Sequence, residues 1–101
     1  MLLSGADALG MTHRRCLELL ESAEDTLDFL NASLTYLIHA ESRQAQPDAD
    51  LIAEWEALDQ EVLDVQYALP GSDVKTYQQV IKTYGQRHRE LRPLVDRYMA
   101  K

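Results

Sequence analysis

Cysteine is nearly missing from this 101-residue chain, where Cys16 stands alone. No internal disulfide can form, and cysteine-rich metal frameworks are excluded by count. Glycine is scarce as well. Its four copies are scattered, so no glycine-rich loop is present to cradle a phosphate. There is no run of about eighteen apolar residues, the length a bilayer-spanning helix needs. Met1 to Gly10 carries no base, and its apolar run stops at Leu3, which is no secretory signal. These residues read as a flexible leader over 1–11, and the cytoplasm follows as the expected compartment.

Bases are outnumbered, with 10 Lys and Arg against 17 acids and a formal charge of −7. Long-range electrostatics then oppose approach to DNA, RNA or an anionic membrane, so neither nucleic acid nor membrane is an expected partner. The deficit is uneven. Between Cys16 and Ser72 there are thirteen acids and a single base, Arg43, whereas Asp73 to Lys101 holds seven bases and three acids. One expectation is that a basic third segment pairs along its flanks with two acidic ones, which sets orientation more than stability. A second is that Lys82, Arg87, Arg89 and Arg92 form a basic patch. Asp48, Asp50, Glu54, Glu56, Asp59, Glu61 and Asp64 would then leave an acidic surface for a basic partner.

What the chain does have is a spacing. Apolar side chains fall at Cys16, Leu20, Ala23, Leu27, Leu30, Leu34 and Leu37, in steps of four and three that hold one seam on one side of a helix. With Thr12 as cap, a helix is predicted over about 12–43, roughly 48 Å long at 1.5 Å per residue. A polar connector through Pro47 follows. Asp48 or Asp50 then caps a second helix over 48–69, with its seam at Leu51, Trp55, Leu58, Val62, Val65 and Leu69. Pro70-Gly71 ends it, because proline cannot continue the ladder and glycine accepts a left-handed turn.

A third helix is predicted over 73–92 after Ser72 or Asp73, with Val74, Tyr77, Ile81, Tyr84, His88, Leu91, Val95 and Tyr98 as its seam. Pro93 should end or kink it, leaving a short continuation over 93–100. No segment alternates with period two. The expected fold is therefore all-α, a single domain over 12–101 in an antiparallel, up-down-up, coiled-coil-like three-helix bundle. The long first helix, and its flanking Leu17, Leu19 and Ile38, would be covered by a second copy, which makes a homodimer the expected assembly.

Candidate chemistry is thin. His13, His39 and His88 have no histidine partner one turn away, and no Glu-x-x-His pair exists for a di-iron bundle, so no zinc, iron or other cofactor is expected. Cys16 lies on the seam, where a thiol behaves as a small hydrophobe. His88, also on a seam, reads as a hydrogen-bonded core residue that sets register. Carboxylates three apart recur at Glu18/Glu21, Glu21/Glu24, Glu56/Asp59 and Glu61/Asp64, and two such pairs on facing helices can chelate Mg²⁺. Glu18, Glu21, Glu61 and Asp64 in this pattern resemble the Glu-x-x-Glu and Glu-x-x-Asp motifs of the all-α nucleotide pyrophosphatases. That resemblance implies Mg²⁺-dependent hydrolysis of a nucleoside triphosphate, and the chain departs from it in having no clear lysine- or asparagine-lined nucleotide pocket. Helical chorismate mutases share the length and the long first helix, but their site needs several inward cations. No Lys or Arg occurs from Cys16 through Ser42.

Apolar residues off the seams point elsewhere. Tyr77, Tyr84, Leu91 and Tyr98 recur every seven residues and read as core lining with hydroxyls at the rim. Phe29 and Tyr36, seven apart, fall away from the main stripe of the first helix, and Leu63 and Tyr67 fall on the back of the second. Paired aromatics of this kind anchor protein interfaces. The expected function is a non-enzymatic interaction module that docks on and occludes a partner protein through Phe29, Tyr36, Leu63 and Tyr67, with Glu54, Glu56 and Asp59 steering encounter. Its size and helical build are those of bacterial cytoplasmic anti-activators, secretion chaperones and phage inhibitors. A metal-dependent nucleotide hydrolase and a pure oligomerisation scaffold are the alternatives.

Overall fold

Three helices account for the chain in a computed structural model that describes the backbone of residues 2–101 and the side chains of residues 13–101. They are α1 (Leu2–Ser42), α2 (Ala49–Ala68) and α3 (Val74–Met99). Among the described residues there is no strand, and no helix is long and apolar enough to cross a membrane. The helices pack against one another in a bundle-like arrangement with α1 at its centre. α1 lies against both α2 and α3, whereas no Cα of α2 comes within 8 Å of one of α3.

The seam of α1 forms the core. Ala23, Leu27, Leu30, Leu34 and Leu37 are fully buried, and Cys16 and Leu20 are half-buried beyond them. From α2 the core takes Trp55 and Val62, joined by Leu69 just past the helix end, and from α3 it takes Tyr77 and Val80. Leu51, Leu58, Val65, Val74, Ile81, Tyr84, Leu91 and Val95 are only partly covered. α1 is therefore sealed on its apolar side while its two neighbours are not.

The helix ends follow local chemistry. Asp48 caps α2, its carboxylate accepting from the Leu51 N–H at 3.0 Å, and Asp73 caps α3 by accepting from the Thr76 N–H at 2.8 Å. Gly71 takes φ +85°, the left-handed turn that separates α2 from α3. At the end of α1 the Arg43 and Gln44 N–H groups fold back to the Ala40 and Glu41 carbonyls.

Three expectations change. α1 starts at Leu2 rather than at Thr12, so the backbone of residues 2–11, expected as a leader, belongs to the helix. That stretch contains no proline and is rich in Leu and Ala, the residues least costly in a helix. α3 runs unbroken through Pro93 instead of ending near Arg92. A proline inside a helix removes one hydrogen bond and crowds the carbonyl four residues back, and the half-buried Leu91, Leu94, Val95 and Tyr98 keep the last turns packed on the core. Leu19 is buried and Ile38 half-buried within the chain, which leaves only Leu17 of that flanking set exposed. A second copy is not needed to cover the other two.

Leu34→Ala should lower the unfolding free energy by about 2–5 kcal/mol, because it empties a fully buried site. Gly85→Ala should raise it by about 0.5–1 kcal/mol. A Cβ there meets only Thr26 Cγ2 at 4.0 Å and Arg89 Nη1 at 3.6 Å, both ordinary contacts. Urea titrations followed by circular dichroism check both signs.

Candidate interaction surface

The predicted site residues divide into separate places. Phe29 is exposed, yet its ring stacks on that of half-buried His88 of α3, with centroids 6.2 Å apart and planes at 28°. Tyr36 is half-buried against the core. Tyr36 is therefore largely spent inside the fold, whereas Phe29 keeps 60 % of its surface exposed beside the His88 ring. His88 likewise serves as a stacking surface rather than as a buried hydrogen-bonded residue.

Leu63 and Tyr67 are different. Both project from α2 into solvent, Tyr67 at 92 % exposure. Ile52, Glu56, Asp59, Leu63 and Tyr67 step by four, three, four and four, which puts them along one face of α2. Glu56 and Asp59 also line a shallow hollow of about 510 Å³ against α1, opposite Thr35, Ile38 and His39. Asn31 reaches across to donate to the Asp59 carboxylate at 2.6 Å, and Gln66 donates to Asp28 at 2.6 Å, so this edge of α2 is held by two amide–carboxylate bonds. Glu54 stands apart from that face, in a groove between α2 and α3.

The groove has two walls. Glu54, Leu58, Glu61, Val65 and Ala68 step by four, three, four and three on α2, and Val80, Tyr84, Arg87 and Leu91 step by four, three and four on α3. Tyr84 donates to the Glu61 carboxylate at 2.6 Å and divides the groove into two hollows. The one toward Val80 and Leu69, about 300 Å³, is almost wholly apolar, and the one toward Trp55 and Leu91, about 320 Å³, is edged by Glu54, Glu61 and Arg87. On the outer side of α3, Lys82, Arg87 and Arg89 lie together around a shallow hollow with Thr83, Gln86 and Glu90, while Arg92 is exposed further along.

The expected pairing of basic α3 with its acidic neighbours is absent. Among the described residues the sole ion pair is Arg15–Glu18, one turn apart at 3.8 Å on α1, and no base of α3 reaches a carboxylate. The reason is geometric. The α3 residues that face the other helices are tyrosines and aliphatics, and the bases sit on its flanks and back. Tyrosine hydroxyls do the cross-linking instead: Tyr84 donates to Glu61 of α2 and Tyr98 to Glu41 of α1, while Tyr77 donates to the Ser72 carbonyl at 3.0 Å in the turn before α3.

Glu41 was not singled out by sequence, although it sits four residues beyond Leu37, on the continuation of the α1 seam. It is buried, and it also accepts from the Asp48 N–H at 2.9 Å. One carboxylate thus joins the end of α1, the cap of α2 and the end of α3. Leu19 and Val80 are the other core residues outside the expected seams; each lies one turn from a seam residue, within the wider apolar stripe of a globular helix.

Among the described residues no three His, Cys, Asp or Glu side chains gather closely enough to hold a metal ion, so Glu18, Glu21, Glu61 and Asp64 do not assemble as the pyrophosphatase resemblance requires. No protein-family model matches the chain, and no curated protein or solved structure matches it either.

Hydrogen bonding from Tyr98, then from the Asp48 N–H, holds the Glu41 carboxyl below its ordinary 4.5, so its stabilisation is present above that value and is lost as pH falls through the lowered one. The tyrosines move the other way. Burial and then the bond to Glu61 push Tyr84 up to about 12, and the bond to Glu41 and then burial push Tyr98 up to about 12. Their contribution is complete below pH 10 and should be lost as pH rises from 10 to about 12. Phenolate absorbance should therefore show late-titrating tyrosines. Tyr84→Phe and Tyr98→Phe should each remove one, and retention of the full late signal in both variants would contradict the assignment.

Proposed function

We propose that the chain is a non-enzymatic protein-interaction module whose α2 docks on a basic surface of another protein and occludes it. The observation that carries this reading is Tyr67, 92 % exposed beside exposed Leu63 on a helix with six acids and no base. An aromatic and an aliphatic one turn apart make a compact anchor, and surrounding carboxylates accelerate encounter with a cationic partner. Glu56 and Asp59 share that face; Tyr36, half-buried against the core, drops out of the docking set, and Phe29 stays exposed on α1, away from it. No catalytic residue is assigned. The size and helical build agree with those of bacterial cytoplasmic anti-activators, secretion chaperones and phage inhibitors, an analogy at the level of fold class.

In this reading the helices run up, down and up. Asp28 meets Gln66 while Asn31 meets Asp59, which supports α2 running against α1, and Phe29 meets His88 while Glu41 meets Tyr98, which supports α3 running with it. The module also pairs with itself, through the separate surface treated below.

Affinity capture from native lysate supplies the partner, and three variants test the face. Tyr67→Ala should speed dissociation about tenfold or more, as loss of an anchor does. Glu56→Lys should slow association, with the difference shrinking at high salt. A Leu63→Ala/Tyr67→Ala double variant that binds as wild type does would overturn the reading.

A further inference from the structure

We propose that the groove between α2 and α3 seats a second copy of this chain, with the acidic α2 of each copy laid over the basic α3 of the other. The proposal deepens the interaction-module reading by naming one partner, and it uses the flank of α2 that Leu63 and Tyr67 leave free. Three observations carry it.

The first is spacing. Each wall of the groove repeats at alternating intervals of four and three, the rhythm of a helix that packs along a seam. The α2 and α3 backbones nevertheless stay more than 8 Å apart at every Cα, so neither wall is the other's full partner. From Thr76 to Leu91 the groove is roughly 22 Å long at 1.5 Å per residue, about four turns of an incoming helix.

Coverage is the second. Leu58, Val65, Tyr84 and Leu91 all remain half-buried along this groove, whereas the α1 seam beneath is closed to solvent. One end of the groove is almost wholly apolar, and the other is edged by Glu54 and Glu61 on one wall and Arg87 on the opposite wall. An occupant must therefore be oily along its middle, basic where it meets α2 and acidic where it meets α3.

The third is charge. Glu54 and Glu61 stand on the α2 wall of the groove and Arg87 on the α3 wall, and among the described residues no α3 base reaches a carboxylate within the chain. A single acidic or basic peptide would satisfy one wall and repel the other. This chain's own α2–α3 face satisfies both, and a two-fold axis running along the groove brings them together in one self-complementary contact. Glu54 and Arg87 line the same hollow, so that axis sets Glu54 of each copy against Arg87 of the other.

Sedimentation equilibrium of the full chain across about 1–100 µM tests the proposal. The expected mass is twice the 11.5 kDa of one chain, with dissociation favoured as salt is raised. Glu54→Arg and Arg87→Glu should each weaken self-association about tenfold or more. An equimolar mixture of the two variants should restore the dimer, because the reversed charges then face each other and the native pair survives at the symmetry-related position. Neither side chain makes a hydrogen bond or ion pair within the chain among the described residues, so the helical content should be unchanged. Ala68→Arg, an exposed position on the apolar end of the groove, should block pairing without touching the core. Leu63→Ala/Tyr67→Ala should leave the dimer intact, which separates this surface from the docking face. A mass of one chain at the highest concentration would overturn the proposal. So would a dimer indifferent to Ala68→Arg, or a variant mixture that stays dissociated.

Discussion

The leucine stripe of α1 has to be hidden from water along its whole length, and the remaining architecture is arranged around that need. Ala23, Leu27, Leu30, Leu34 and Leu37 lose all contact with solvent. Each leucine buried in this way is worth roughly 1.5–3 kcal/mol, and one helix laid alongside cannot cover a stripe about 100° wide. Two are required. Because α2 and α3 both seat on α1, they stand apart from each other, and the groove between them is the geometric remainder of sealing the central helix.

Polar contacts set the register that the leucines alone leave loose. Asn31 with Asp59 and Gln66 with Asp28 fix α2 against α1, and Tyr98 with Glu41 fixes the end of α3. In each of these a neutral donor meets a carboxylate. Such bonds are stronger than neutral pairs and do not require a second charge to be stripped of water. The bases of α3 are left free of this work, which is why the surface stays so strongly divided by sign.

The helices, two caps and the glycine turn were legible because each has a local cause: a step of four and three, an Asp before an apolar run, a Gly after a Pro. Spacing gives the direction in which a stripe faces. It does not say which neighbour covers the edges of that stripe, so spacing alone puts Leu19 and Ile38 against a second copy and Tyr36 on open surface, when the core of the same chain covers them and leaves only Phe29 of the four exposed. Counting charges failed for a related reason. A basic helix beside acidic ones has opposite sign in sum, but pairing depends on angular position, and the α3 bases lie around the sides that α1 does not meet. Glu41 was hidden by its type: a carboxylate on an apolar seam looks like the end of the stripe until its three partners are seen.

Function follows the same division between sealed and open apolar surface. The α1 seam is closed to a partner, and only Leu17 and Phe29 among its described large apolar side chains stand exposed on its flanks, while α2 presents one oily and acidic face outward and one toward the groove. Everything rests on α1 being the most protected element, and amide hydrogen exchange reads that directly. The slowest amides should cluster in α1 between Ala23 and Leu37, exchanging only with global unfolding, while those of α2 and α3 open earlier. An α1 that exchanges as fast as α3 would contradict the account.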